Sequence, residues 1–247
     1  MTEVSYEHAG VPVRPALTEA HRRAWRRLAA PGTWLTGAER VAVMAEVRNV
    51  SGCALCRERA AALSPYAVDG AHDDLGALPA AQVEVIHRVV SDPGRLTPDW
   101  FRGVTGDGLA VNRYVETIGV LAQTVAIDTF ARGIGIEPLA LPEPQAGEPS
   151  GYRPEGLVQE DAWVPWLTAE TVTEAERALF PPDRPVANIR RAMSSVPAEA
   201  IGFFDIVEAQ YLAGREMTRF DQQFRAITHA QIELVAGRVS ALNGCVY

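Results

Sequence analysis

The sequence predicts an all-α protein made of two tandem helical repeats, of which the second is truncated. Apolar residues recur at helical spacing along the chain, and no segment of strand length alternates apolar and polar residues. A segment in the first quarter of the chain also recurs near its end, at a constant offset of 192 residues. These observations favour helices over sheets and a duplicated unit over a single one.

The predicted helices follow from stripes of apolar residues spaced three or four apart, because such residues share one helix face. The first stripe stops just before Pro93-Gly94, a pair that ends helices. Each stripe predicts one amphipathic helix. The stripes are Val83, Ile86 and Val90; Tyr114, Ile118, Leu121 and Val125; and Ile232, Val235, Val239 and Leu242.

A stretch rich in proline and glycine divides the chain. Five prolines and two glycines lie between residues 138 and 154, which is typical of a segment with little regular structure. We therefore predict a first helical repeat at residues 15–136, a linker at 137–162 and a second, truncated repeat at 163–247.

The composition excludes several classes of function. All 23 basic residues are arginine, so chemistry that needs a P-loop lysine, a Schiff-base lysine or a lysine base is ruled out. The net charge of -8 argues against nucleic-acid or anionic-membrane partners. The N-terminus does not resemble a signal peptide, and no apolar run reaches the ~18 residues of a membrane span. We expect a cytoplasmic protein.

The repeated segment links a capped helix to a cysteine. Residues 36–55 read TGAERVAVMAEVRNVSGCAL, and residues 228–247 read THAQIELVAGRVSALNGCVY. Both begin with a capping box, in which a threonine and a Glu or Gln three residues later satisfy free amides at the helix start. The apolar residues match as well, which predicts the same buried face in both helices. The matched pairs are Val43 with Val235, Val47 with Val239, and Val50 with Leu242.

A glycine and then a cysteine follow each of these helices, as Gly52-Cys53 and Gly244-Cys245. A cysteine at the start of the next helix meets free amide groups and the positive end of the helix dipole, which lower its pKa below about 8.5. In the first segment, Cys56 completes a C-x-x-C motif whose two thiols share a helix face. This spacing suits redox chemistry or half of a metal site.

A zinc site is the less favoured interpretation of the cysteines. Zinc needs about four ligands, and the histidines nearest the motif, His72 and His87, lack the short spacing typical of such sites. We therefore expect no metal and no other cofactor.

These motifs resemble the alkylhydroperoxidase D-like (carboxymuconolactone decarboxylase-like) superfamily. Its redox members carry a glutamate, eleven residues, Cys-x-x-Cys, three residues and a histidine. The second repeat is similar, with Glu233, eleven residues and Cys245. The first repeat has Cys53 and Cys56 but departs from the pattern elsewhere. Val41 stands at the glutamate position and Ala60 at the histidine position.

The resemblance implies a compact all-α fold, often a homo-oligomer, and a hydroperoxide substrate. It also implies that Cys56 attacks the peroxide, that Cys53 resolves the sulfenic acid to a disulfide, and that an external dithiol reduces the disulfide. Glu46 is a candidate for the missing carboxylate, and His72 or His87 for the missing imidazole. The predicted catalytic residues are Cys53, Cys56, Glu46, Glu233 and Cys245.

The chain ends where the resemblance places the second redox residue of the C-terminal motif. One hypothesis is a selenocysteine codon read as a stop; the alternative is a genuine truncation of the gene. Two other functions stay open. One is a non-catalytic redox-sensing or structural role for the cysteine pair. The other is a carboxymuconolactone decarboxylase-type lyase, against which the C-x-x-C counts because that chemistry does not use it.

Overall fold

The computed structural model describes residues 4–106, 108–180 and 186–244. Within these ranges the chain forms helices and no β-sheet, with one isolated bridge between Val158 and Trp166. The all-α prediction is therefore confirmed. The tandem repeat and the three predicted segments stay predictions.

The described part of the chain consists of α-helices joined by loops and short 3-10 turns. The α-helices are α1 (Pro15–Ala29), α2 (Gly37–Asn49), α3 (Ala54–Ala61), α4 (Ala80–Ser91), α5 (Pro98–Gly106), α6 (Val111–Gly133), α7 (Asn188–Arg191), α8 (Pro197–Gln210) and α9 (His229–Leu242). Short 3-10 turns occupy Val50–Gly52, Pro65–Ala67, Pro93–Arg95 and Glu174–Leu179. None of the described helices is long and apolar enough to cross a membrane.

The three apolar stripes lie in α4, α6 and α9, so the predicted helices are confirmed. Helix α4 ends at Ser91, just before Pro93. Helix α6 is buried on more than the striped face: Glu116 and Gln123 are fully buried, whereas Val125 of the stripe is exposed. The reason is that α6 packs against α1, α2, α4 and α8 and so lies at the centre of the bundle.

The main hydrophobic core lies between α1, α2, α4 and α6. Large buried side chains such as Trp25, Met44, Ile86 and Ile127 fill it. The two cysteines of the C-x-x-C motif belong to this same core. The C-x-x-C motif is therefore set against tightly packed helices and does not lie in a surface loop.

Helix α8 joins the bundle through a buried ion cluster. The guanidinium of Arg40 on α2 lies 2.6 Å from Glu116 on α6 and 2.6 Å from Glu199 on α8. Gly119 allows the close approach of α8, because a Cβ atom there would lie 2.5 Å from the Cβ of Glu199. Helix α8, from the predicted second repeat, therefore packs directly on helices of the first.

The proline-rich segment runs over the first helices without forming a helix of its own. The backbone N–H of Gln145 donates to the carbonyl of Ala29 at 2.8 Å, and the indole of Trp25 donates to the carbonyl of Ala140 at 3.0 Å. This segment is thus fixed along the bundle by its backbone groups.

The prediction that α9 has the same buried face as α2 is wrong. Val235, Val239 and Leu242 are 59%, 51% and 66% exposed, although α9 begins with the predicted capping box of Thr228 and Gln231. Among the described residues, α9 has too few helix neighbours to cover this face. The helix forms from local interactions, and of its apolar stripe Ile232 is buried while the other three residues stay in contact with solvent.

Candidate active site

The candidate site is assembled from three helices and one loop. Helix α2 supplies Glu46 near its C-terminal end, and the 3-10 turn that follows leads into Cys53. Cys53 is the N-cap residue of α3, as the glycine-cysteine pattern predicted, and Cys56 lies in the first turn of this helix. Helix α4 adds His87, and the loop between α3 and α4 adds His72.

The sulfur atom of Cys56 lies between two imidazole rings. Its Sγ is 3.2 Å from Nδ1 of His87 and 3.5 Å from Nδ1 of His72. The Sγ of Cys53 is also 3.5 Å from Nδ1 of His72. Both cysteines are free thiols and both are buried. Two thiols and two imidazoles are therefore in direct contact inside the protein.

Each histidine contacts a carboxylate through Nε2, the ring nitrogen that does not face the thiols. Nε2 of His87 is 2.8 Å from Glu46, and Nε2 of His72 is 2.8 Å from Glu84. Since an ionised carboxylate only accepts hydrogen bonds, each Nε2 carries a proton and donates it. In a neutral histidine the lone pair of Nδ1 then points toward the sulfur atoms. Each ring can accept a thiol proton and later return it.

The two carboxylates are themselves held in place. Glu46 accepts hydrogen bonds from the side chain of Asn49 and the backbone N–H of Leu75, both at 3.0 Å. Glu84 accepts from Arg59 and from the indole of Trp100, also both at 3.0 Å. These contacts fix the ring orientation of both histidines, as outer contacts do around other reactive centres.

The electrostatic environment favours ionised thiols. Burial raises the pKa of Cys56, but its hydrogen bonds with His72, His87 and Ser91 outweigh burial and lower the pKa to about 6. Burial also raises the pKa of Cys53. The backbone N–H of Cys56 and the side chain of His72 oppose it, and the net direction is downward. A lowered thiol pKa is typical of reactive cysteines.

The pKa values of the two histidines shift upward, opposite to those of the cysteines. Burial lowers the pKa of His72, but contacts with Cys56 and Glu84 raise it to about 10. Burial likewise lowers the pKa of His87, and contacts with Cys56 and Glu46 raise it to about 8. Burial raises the pKa of Glu84, but the hydrogen bond from His72 leads the contacts that lower it to about 2. Thiolate, imidazolium and carboxylate therefore stabilise one another.

Cys56 is among the residues that line a cavity of about 350 Å³. Apolar side chains line its wall, and three arginines surround it, of which Arg48 is paired with Asp128 at 2.7 Å. Arg57 and Arg132 are exposed. A molecule in the cavity would contact apolar side chains and meet the positive charge of Arg57 and Arg132 near solvent. The lining includes Val47, Val50, Val90, Val125, Arg48, Arg57 and Arg132.

The structure brings together three of the five predicted site residues, namely Cys53, Cys56 and Glu46. Glu233 lies elsewhere, where it accepts a hydrogen bond from Tyr211 and lies 3.3 Å from His229. Cys245 is outside the described residues. Helix α9 therefore has no counterpart of the contact between Glu46 and His87 within the part of the chain that the structure describes.

Glu84 is a site residue that the sequence analysis missed. It lies three residues before His87 on α4, so both side chains share a face of that helix. An acidic residue and a histidine at this spacing, directly beside the apolar stripe of α4, were the available signal. The partners of Glu84 come from distant segments, and no local pattern predicts them.

Comparisons of the chain with protein-family models, with curated proteins and with solved structures found no match. The resemblance to the alkylhydroperoxidase D-like superfamily therefore rests on the motif residues and stays a prediction.

Proposed function

We propose that this protein reduces hydroperoxides, with Cys56 as the attacking thiol and Cys53 as the resolving thiol. The observation that supports this most strongly is the position of the Cys56 sulfur. It contacts two histidines that carboxylates hold in place, and it also lines an open cavity. The resemblance of the motif to redox members of the alkylhydroperoxidase D-like superfamily suggests the same chemistry.

The first step is attack on the peroxide. His87 or His72 takes the proton of the Cys56 thiol, and the thiolate forms a bond to the terminal peroxide oxygen. The O–O bond breaks, and the leaving alkoxide takes the proton back from the imidazolium to become an alcohol. Cys56 is now a sulfenic acid, two electrons more oxidised than the thiol.

The second step closes the disulfide. The Cys53 thiol attacks the sulfur of the Cys56 sulfenic acid, an S–S bond forms, and the hydroxyl leaves as water with the thiol proton. The sum is one hydroperoxide and two thiols giving one alcohol, one water and one disulfide. An external dithiol restores the two thiols by exchange.

The cavity favours a hydroperoxide with an apolar body and an anionic group. Valine side chains would contact the body, while Arg57 and Arg132 would face the negative charge. A volume of about 350 Å³ suits a small organic molecule. The net positive charge of the rim distinguishes this cavity from the acidic chain as a whole.

The proposal is tested with purified protein, dithiothreitol and cumene hydroperoxide, following the loss of peroxide. We expect turnover that Cys56→Ser abolishes. Prereduced Cys53→Ser, treated with the peroxide after dithiothreitol is removed, should accumulate a sulfenic acid that dimedone traps on Cys56. Turnover that survives in Cys56→Ser would refute the assignment. Formation of one disulfide per chain without turnover would instead favour the redox-sensing role.

The substrate preference has its own matched test. Cumene hydroperoxide and its para-carboxylate analogue differ by one charge while keeping the same reacting group. Replacing Arg57 and Arg132 with glutamine should raise KM for the carboxylate about fivefold and leave KM for cumene hydroperoxide unchanged. Arg102→Gln, at an exposed arginine on α5, is the control. Equal effects on both substrates would contradict an anionic group at the rim.

A further inference from the structure

We infer that Cys53, Cys56, His72 and His87 together bind one soft divalent cation, with Zn²⁺ as the favoured ion, when the two thiols are reduced. This inference is independent of the peroxidase proposal, since it rests on the donor geometry and needs no turnover. It also reverses the expectation from sequence that no metal site exists.

Three of the sulfur–nitrogen separations among the four donor atoms match those of a tetrahedral zinc site. All four atoms lie within 4.8 Å of one another. Zinc bonds of about 2.3 Å to sulfur and about 2.0–2.1 Å to nitrogen, at tetrahedral angles, place sulfur and nitrogen about 3.5 Å apart. The observed sulfur–nitrogen distances of 3.5, 3.5 and 3.2 Å match this edge length.

The outer contacts also match those of zinc centres. Both histidines turn Nδ1 toward the sulfur atoms and present Nε2 to a carboxylate at 2.8 Å. This arrangement leaves the Nδ1 lone pair available for a cation and makes the imidazole a stronger ligand. Two independent carboxylate–histidine pairs that converge on two thiols are more than a proton relay requires.

Charge and burial favour an occupied site. Cys53 and His87 are 0% exposed and Cys56 is 3% exposed, so ions there are costly without compensation. Two thiolates, two neutral imidazoles and one Zn²⁺ sum to zero charge. Binding would displace the protons held by the two thiols and by Nδ1 of the two imidazoles, so affinity should rise with pH. Because both ligating sulfurs must be thiolates, affinity also depends on the reduced state of the pair.

The sequence obscures this site because the second half of the ligand set is dispersed. A C-x-x-C pair is a common half-site, but His72 and His87 lie fifteen residues apart rather than within one helix turn. One comes from a loop and the other from α4, and the fold brings both to α3. Only the tertiary structure completes the set.

A four-ligand centre would bind both thiolates and slow their reaction with a hydroperoxide. Oxidation by a hydroperoxide would release the ion: two electrons pass from the thiolates to the O–O bond, a disulfide forms, and two protons complete the alcohol and water. The disulfide no longer offers two thiolate ligands. Metal binding and disulfide formation would then be mutually exclusive states of one site.

The test is Co²⁺ titration of the reduced full-length chain carrying Cys245→Ser, so that only Cys53 and Cys56 supply thiols. We expect one equivalent to bind with the intense visible bands of tetrahedral cobalt and a thiolate charge-transfer band, and Zn²⁺ to displace it. Cys53→Ser with Cys56→Ser should lose these bands. Glu84→Gln should weaken binding about 10- to 100-fold, whereas Asp99→Asn, at an exposed carboxylate, should not.

Oxidation provides a control that changes no residue. Treatment with a thiol oxidant should abolish the cobalt bands, and reduction should restore them, which separates ligand loss from misfolding. Absence of tetrahedral bands in folded, reduced protein, or their survival without both cysteines, would overturn the inference. Peroxide turnover without cobalt binding would overturn it while leaving the proposed function intact. Cobalt binding without turnover would support the metal site and overturn the proposed function.

Discussion

Helices α2 and α9 have similar sequences but different surroundings. Both begin with a capping box, from Thr36 and Glu39 in α2 and from Thr228 and Gln231 in α9. Their matched valines differ sharply in exposure: Val43 is 0% exposed and its counterpart Val235 is 59% exposed. The local pattern therefore specifies the helix and its first turn, whereas burial depends on neighbouring helices.

The same contrast applies to the candidate chemistry. Glu46 on α2 contacts His87 because α4 packs across α2 and turns its histidine inward. Glu233 occupies the glutamate position that the family resemblance favours, yet it is half-exposed and pairs with Tyr211 and His229. A motif acquires reactivity when other elements enclose it. Four substitutions test this difference, each paired with a control from α9.

The largest expected effect is on stability, at the buried arginine of α2. Arg40→Ala would leave the carboxylates of Glu116 and Glu199 buried without their cation, which should cost about 3–5 kcal/mol of unfolding free energy. Arg238→Ala on exposed α9 should change it by no more than about 0.5 kcal/mol. Denaturant unfolding measures both variants. Equal losses would show that α9 is as well packed as α2.

The next effect is on activity. Glu46→Gln should lower kcat/KM for hydroperoxide about 10- to 100-fold, since His87 loses the carboxylate that orients it. Glu233→Gln should leave kcat/KM unchanged because its described partners are remote from the cysteine pair. Thermal melts of both variants control for folding. A comparable loss in Glu233→Gln would mean that the C-terminal motif takes part in the reaction.

A smaller effect is expected at the matched valines. Val43→Ala removes two methyl groups from the core and should cost about 2 kcal/mol. Val235→Ala removes the same groups from an exposed face and should cost no more than about 0.5 kcal/mol. Chemical denaturation of both variants measures the two losses of unfolding free energy, which can then be compared directly. A large loss at Val235 would indicate that this face is covered in solution.

The smallest expected effect is at the helix caps. Thr36→Ala should lower global stability by about 1 kcal/mol, because α2 unfolds only with the core. Thr228→Ala loses the same hydrogen bond, but α9 can open locally, so faster amide exchange should appear in α9 alone. Hydrogen exchange resolved by segment distinguishes the two results. Slowed or unchanged exchange in α9 would contradict a marginal helix there.

The sequence alone determined the features that depend on local interactions. Helical spacing, the two capping boxes and the proline-rich break predicted the all-α class, the positions of α4, α6 and α9, and Cys53 at the start of α3. These predictions succeeded because a cap or a stripe involves residues within a few positions of one another.

Only the tertiary structure decided that the motif of Cys53 and Cys56 is enclosed and what surrounds these two cysteines. His72 and His87 contact Cys56 across gaps of 16 and 31 residues, and Glu84 contacts His72 in turn; the packing of α4 on α2 and α3 sets these contacts. The exposure of α9 likewise reflects absent packing among the described residues rather than any change in its pattern. Contacts between distant segments depend on the combined shape of several helices, which no single stretch of sequence encodes.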